Sequence, residues 1–138
     1  MKNALLSLGF MLLTSFAVQA QDAPVNPNAP EIVFDNELID FGTIEHNADG
    51  NREFKFRNSG KEPLIISNCA GSCGCTVPTW PKEPIGPGKT SSIKVHYDTN
   101  RIGNFEKTIT VTSNAKSASK ILRIKGVVKP DAAPAENK

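Results

Sequence analysis

The chain has 138 residues, 16 basic and 14 acidic side chains, a formal charge of +2 and a hydrophobic fraction of 38%. That length fits one domain with flexible ends, and the scattered, nearly balanced charge carries no basic stripe for nucleic acid. Three cysteines stand within seven positions in NCAGSCGC, residues 68–75, and have no partner elsewhere in the chain.

In chain order, residues 1–20, MKNALLSLGFMLLTSFAVQA, combine Lys2, an apolar run from Ala4 to Val18 and small residues at Val18 and Ala20. This is the pattern of a secretory signal peptide cut after Ala20. The run is short for a bilayer span, which needs about 20 apolar residues, and Thr14 and Ser15 dilute it. No cysteine at the cut point marks a lipid anchor, and no later run approaches membrane length, so no membrane span is expected in the mature chain. Residues 21–30, QDAPVNPNAP, read as a flexible linker, and residues 129–138 as a disordered tail.

Between them, residues 31–128 are punctuated as strands. EIVFD and LIDFG are short apolar runs, the second ending at Gly42. NREFKFRNSG sets Phe54 and Phe56 against Glu53, Lys55 and Arg57 and closes on the turn residues Asn58, Ser59 and Gly60. PLIISN is continuous enough in Leu64, Ile65 and Ile66 to be covered on both faces. SSIKVHYD places Ile93, Val95 and Tyr97 against Lys94, His96 and Asp98. NFEKTITVTSN places Phe105, Ile109 and Val111 against Thr108, Thr110 and Thr112, and ILRIKGVV carries Leu122, Ile124 and Val128 in phase. Period-two burial without sustained helical spacing predicts an all-β fold, an immunoglobulin-like β-sandwich of about seven to eight strands without an inter-sheet disulfide.

The segments FDNELIDFGTI, FKFRNSGKEPLIISN, SCGCTVPTWPKEPIGPGK, IKVHYDT, GNFEKTITVTSN and IKGVV together resemble the bacterial family called domain of unknown function fifteen-seventy-three, related to the Hydin-like or ASH immunoglobulin-like domains. The resemblance covers nearly all of residues 31–128, and the Cys-Gly-Cys-Thr core with its following Trp-Pro and Pro-Gly-Lys is its specific part. It implies an immunoglobulin-like domain on an exported bacterial protein and supplies no activity. Cys69 departs from the family's usual run.

Export into an oxidising compartment favours disulfides. Cys73 and Cys75 point the same way in an extended strand, with Cα atoms near the upper limit for a bridge, so their direct pairing needs a turn at Gly74. A local bridge from Cys69 to Cys73 or Cys75 is geometrically easier, because Gly71 and Gly74 let the chain fold back, and it is the preferred expectation. The metal alternative takes Cys69, Cys73 and Cys75 as thiolate ligands for copper or zinc, a set short of the four ligands of structural zinc unless His46 or His96 joins. Each histidine also reads as a solvated side chain. Catalysis has less support: no base is placed beside a thiol, and the helical Cys-x-x-Cys redox signature is absent. Trp80 reads as a plug packed at the sandwich end or as an exposed anchor for a partner.

The sequence therefore predicts a periplasmic or secreted, non-catalytic binding or structural module of the bacterial cell envelope with no cofactor. Its expected partner is an envelope protein met by a sheet edge or loop. A thiol-based copper or zinc protein is the alternative, and a thiol–disulfide enzyme the minor one.

Overall fold

The computed structural model describes residues 24–133; residues 1–23, with the expected signal peptide, and residues 134–138 lie outside the described part. Eight strands form two four-stranded sheets: β1 (Ile32–Phe34), β3 (Asn51–Asn58), β6 (Thr90–Tyr97) and β5 (Thr76–Thr79) in one, and β2 (Leu38–Ile44), β8 (Ser119–Val128), β7 (Gly103–Ser113) and β4 (Ile66–Gly71) in the other. The chain crosses between sheets directly after β1. As a result β1 runs antiparallel to β3, while β2 runs parallel to β8.

Alternation decides which side chains fill the space between the layers. Phe54 and Phe56 from β3 and Ile93, Val95 and Tyr97 from β6 meet Ile109 and Val111 from β7 and Leu122 and Ile124 from β8, all at most 2% exposed. Their neighbours Glu53, Lys55, Lys94, Thr110 and Arg123 stand outward and exposed, as a period of two demands. Burial of each large apolar side chain contributes about 1.5–3 kcal/mol, so this interior is the main favourable term. At one end Tyr97 stacks on Phe105 at 3.8 Å between ring centroids, and Phe41 meets Phe105 edge-on at 5.3 Å.

The structure changes one expectation and adds two details. PLIISN is covered on one face only: Leu64 and Ile66 are buried, but Ile65 is 44% exposed, because this segment leads into an edge strand whose outer face is open. Strand β5 was hidden by Pro78, which a sequence pattern counts against a strand, yet an edge strand admits proline where the missing N–H faces outward. Described residues on either side of the sandwich bond to it. Lys61 donates its N–H to the Asn28 carbonyl at 3.2 Å, Lys116 donates to that of Pro30 at 2.9 Å, and Lys129 donates to that of Ile44 at 2.8 Å. Pro30 is buried, and Asp131 pairs with His46 at 3.0 Å.

Candidate functional site

The cysteine cluster is built where β4 hands the chain to β5. The Ser72 N–H donates to the Thr108 carbonyl at 2.8 Å, which ends β4 against β7, and the Asp98 N–H donates to the Cys75 carbonyl at 2.9 Å, which starts β5 against β6. Between these two anchors the Thr76 N–H reaches back to the Cys73 carbonyl at 3.2 Å, closing a tight turn. Gly74 sits exposed at its tip, and apart from its chain neighbours no residue comes within 4 Å of where a Cβ would stand.

Contraction of that turn brings the Cα atoms of Cys73 and Cys75 to 5.3 Å, and the two sulfurs are bonded. The preferred bridge from Cys69 is thus corrected. Extended geometry put this pair near the limit of reach, but the chain between them is a turn, inside the usual disulfide span. Cys69 instead lies within β4 opposite Val111, its thiol free and buried in the core. Burial pushes its pKa up to about 12, so the thiol stays protonated at neutral pH.

The two bridged sulfurs have different surroundings. Cys75 is 4% exposed and its sulfur lies 3.8 Å from the hydroxyl of buried Thr76. Cys73 is half-buried at the rim, and its sulfur accepts the Cys75 N–H at 3.3 Å.

For the metal reading, Cys73 and Cys75 spend their sulfurs on each other, and Cys69 is a buried neutral thiol. His46 bonds to Asp131 and His96 to Asn51, each through Nδ1 at 3.0 Å. Among the described residues no three His, Cys, Asp or Glu side chains gather as a metal set. Trp80 is half-buried against the core, with the Lys82 ammonium 3.1 Å above its ring centroid, a close cation–π contact.

A shallow depression of about 470 Å³ lies elsewhere, over Gly126, lined by Asp40, Glu106 and Lys125. Its charges are already matched, since Lys125 pairs with Asp40 at 3.5 Å and Arg123 with Glu106 at 3.5 Å. Backbone N–H donation from Gly42 is the chief cause holding the Asp40 carboxyl below its ordinary range.

The edges of the two sheets complete the surface chemistry. Since Cys75 and Asp98 form a hydrogen-bonded pair, alternation turns Val77 toward β6 and Pro78 toward the open side of β5. With the Thr76 N–H already used, that edge presents carbonyls and no free N–H from Thr76 to Pro78. Strand β1 has only three residues. Strand β2 carries a register shift between Asp40 and Thr43, with Gly42 at φ 65° and its N–H held by the Asp40 carboxylate at 2.8 Å. On β4, the bond from Ser72 to Thr108 sets Asn68 and Ala70 toward β7, leaving the N–H and C=O of Cys69 directed out of the sheet. The sequence pointed to a sheet edge without saying which, because register is invisible without the partner strand.

Two packed sheets with a first segment split between them define an immunoglobulin-like β-sandwich. The family described as "Protein of unknown function (DUF1573)" matches residues 32–128, and the chain belongs to it. Among solved structures, a protein of unknown function from Porphyromonas gingivalis W83 is 13% identical with a TM-score of 0.67, over 75% of this chain and 50% of that one. The chain thus spans half the length of that relative. The ASH/PapD-like domain 7 of human CEP192 is 10% identical with a TM-score of 0.57, over 89% of this chain and 99% of the domain. The CsuC–CsuE chaperone–tip adhesion subunit complex of Acinetobacter baumannii contains a chain that is 12% identical with a TM-score of 0.53, over 71% of this chain and 57% of that one. At such identities the likeness shows the fold, in agreement with the ASH-related sandwich expected from the sequence. No curated protein matches the chain.

Proposed function

We propose that the chain is an exported, periplasmic, non-catalytic module of the bacterial cell envelope that binds a protein partner along the outer edge of β4. The observation that carries this reading is the edge itself. It offers an outward N–H and C=O at Cys69, and exposed Ile65 lies just before it in the chain. A partner strand adding there would gain main-chain hydrogen bonds, with Ile65 supplying an apolar contact. Strand β4 also shifts register, between Ile66 and Asn68, but it keeps the outward pair at Cys69, whereas β1 has only three residues, β2 carries its bulge with a charged side chain, and β5 has an outward proline.

Two further facts support the reading. The signal-peptide pattern of residues 1–20 fits export, and the fold is shared with a chain of a chaperone–tip adhesion subunit complex. The test is capture from an envelope extract by the immobilised protein, compared with the Ile65→Glu variant. A specific envelope protein should be recovered, and at least tenfold less of it by the variant, whose melting temperature should be unchanged because Ile65 is outside the core. Recovery at background level by the unaltered protein, or equal recovery by both, would overturn the proposal.

A further inference from the structure

The turn from Ser72 to Thr76 holds one sulfur at the rim and its bonded partner in the interior. Such asymmetry determines which end of a disulfide an incoming thiolate can reach. Cys73 is half-buried beside exposed Ser72 and Gly74, and apart from its chain neighbours no residue comes within 4 Å of the position a Cβ would take at Gly74. Cys75 is 4% exposed, behind that turn. The neighbouring donors suit the departing and resting sulfurs: the Thr76 hydroxyl is 3.8 Å from Cys75 Sγ, and the Cys75 N–H is 3.3 Å from Cys73 Sγ. Cys69, buried at 5% exposure on β4, is shielded from an incoming thiol.

We propose that the Cys73–Cys75 bridge is a thiol–disulfide exchange site, opened at Cys73 by a thiolate from outside the chain. The sulfur of that thiolate bonds to Cys73 Sγ as the bond from Cys73 to Cys75 breaks. Cys75 departs as a thiolate with the electron pair, receives the Thr76 hydroxyl as a donor, and then takes up a proton. A second external thiolate attacks the mixed disulfide at the external sulfur. It releases the two external groups joined as a disulfide and leaves Cys73 as a thiolate that accepts the Cys75 N–H. Two external thiols are thereby oxidised to one disulfide while the bridge is reduced to two cysteines. Without the second thiol, Cys75 recloses the bridge and expels the first. The site needs no strand docked on β4, so it stands or falls apart from the binding reading.

The test uses purified oxidised protein exposed at pH 8 to excess reduced glutathione in one arm and to a short cysteine-containing peptide in the other, with acid quenching, alkylation and peptide mapping. At early times a transient adduct is expected on Cys73, with Cys75 becoming alkylatable at the same time, and it should give way to two free cysteines as the second thiol reacts. Adduct formation should be at least tenfold faster at Cys73 than at Cys75, and unchanged by urea below the unfolding transition. Reaction in the glutathione arm alone identifies small thiols as the co-reactant, whereas faster reaction in the peptide arm identifies a polypeptide cysteine. With oxidised glutathione, C75A should be trapped as a Cys73 adduct while C73A stays unmodified at Cys75. Adducts first on Cys75, no adduct in either arm, or a rate that follows global unfolding would overturn the proposal, and all three are read on the unaltered protein even if a variant fails to fold.

Discussion

At the scale of single residues, Asn58 is the polar side chain on which one end of the sandwich depends. It is fully buried, donates to the carbonyls of Glu62 at 2.8 Å and Ile85 at 2.9 Å, and accepts the N–H groups of Glu31 at 3.3 Å and Gly60 at 3.0 Å. Its backbone also bonds with Lys89 and Gly88, so it joins the end of β3 to the loop before β6. Asn58→Ala strips partners from several backbone groups at once, and should cost about 3 kcal/mol in urea unfolding, since each buried orphan costs about 1–3 kcal/mol. Asp40 and Asp49 are both held below the ordinary aspartate range, chiefly by the backbone N–H groups of Gly42 and Asn51 respectively. A depressed folded pKa favours the native state above the unfolded value of about 3.9 and loses that contribution as pH falls through the folded value. Urea midpoints of the unaltered protein should therefore decline below about pH 4, and the decline should be shallower in Asp40→Asn and Asp49→Asn.

At the scale of elements, the strand edges and the close approach of β8 to its neighbours set what can change. Pro78 leaves β5 without an outward donor, so Pro78→Val restores an N–H to an open edge that also shows Val77 at 54% exposure. The variant should fold as before but self-associate with rising concentration, which sedimentation velocity would detect; a strictly monomeric variant at high concentration would show that the edge is guarded by something else. On β8, a Cβ at Gly126 would come within 2.8 Å of both Phe105 Cζ and Phe41 Cβ. Both rings belong to the aromatic cluster with Tyr97, so Gly126→Ala should overpack it and destabilise by about 1–3 kcal/mol, visible as a lowered denaturant midpoint.

For the molecule as a whole, the interior between the sheets carries the stability and the bridge is local. The bridge closes a loop of only three residues, Cys73 to Cys75. Chain entropy assigns such a loop about 2 kcal/mol at most, small beside an interior of some twenty buried apolar residues. Reduction with a strong thiol reductant should therefore lower the melting temperature by several degrees and leave the β-sheet circular dichroism spectrum intact. Loss of the spectrum on reduction would mean that the turn nucleates the packing of β4 and β5.

Period-two alternation in β3, β6, β7 and β8 made the sandwich legible from the chain alone, because each of those strands pairs on both sides and buries one face, so Phe54, Val95, Ile109 and Ile124 had to turn inward together. The three cysteines were equally legible as a local cluster, since their spacing admits no distant partner. Their pairing was not. It depended on where β4 stops against β7 and where β5 starts against β6, and those two ladders contract the chain at Gly74 while fixing Cys69 in the core. The same non-local pairing admitted a strand through Pro78 and placed Asn58 between two loops. Side-chain polarity along the chain settles which face is buried, whereas strand register and chain crossing settle which sulfurs, edges and carbonyls become neighbours.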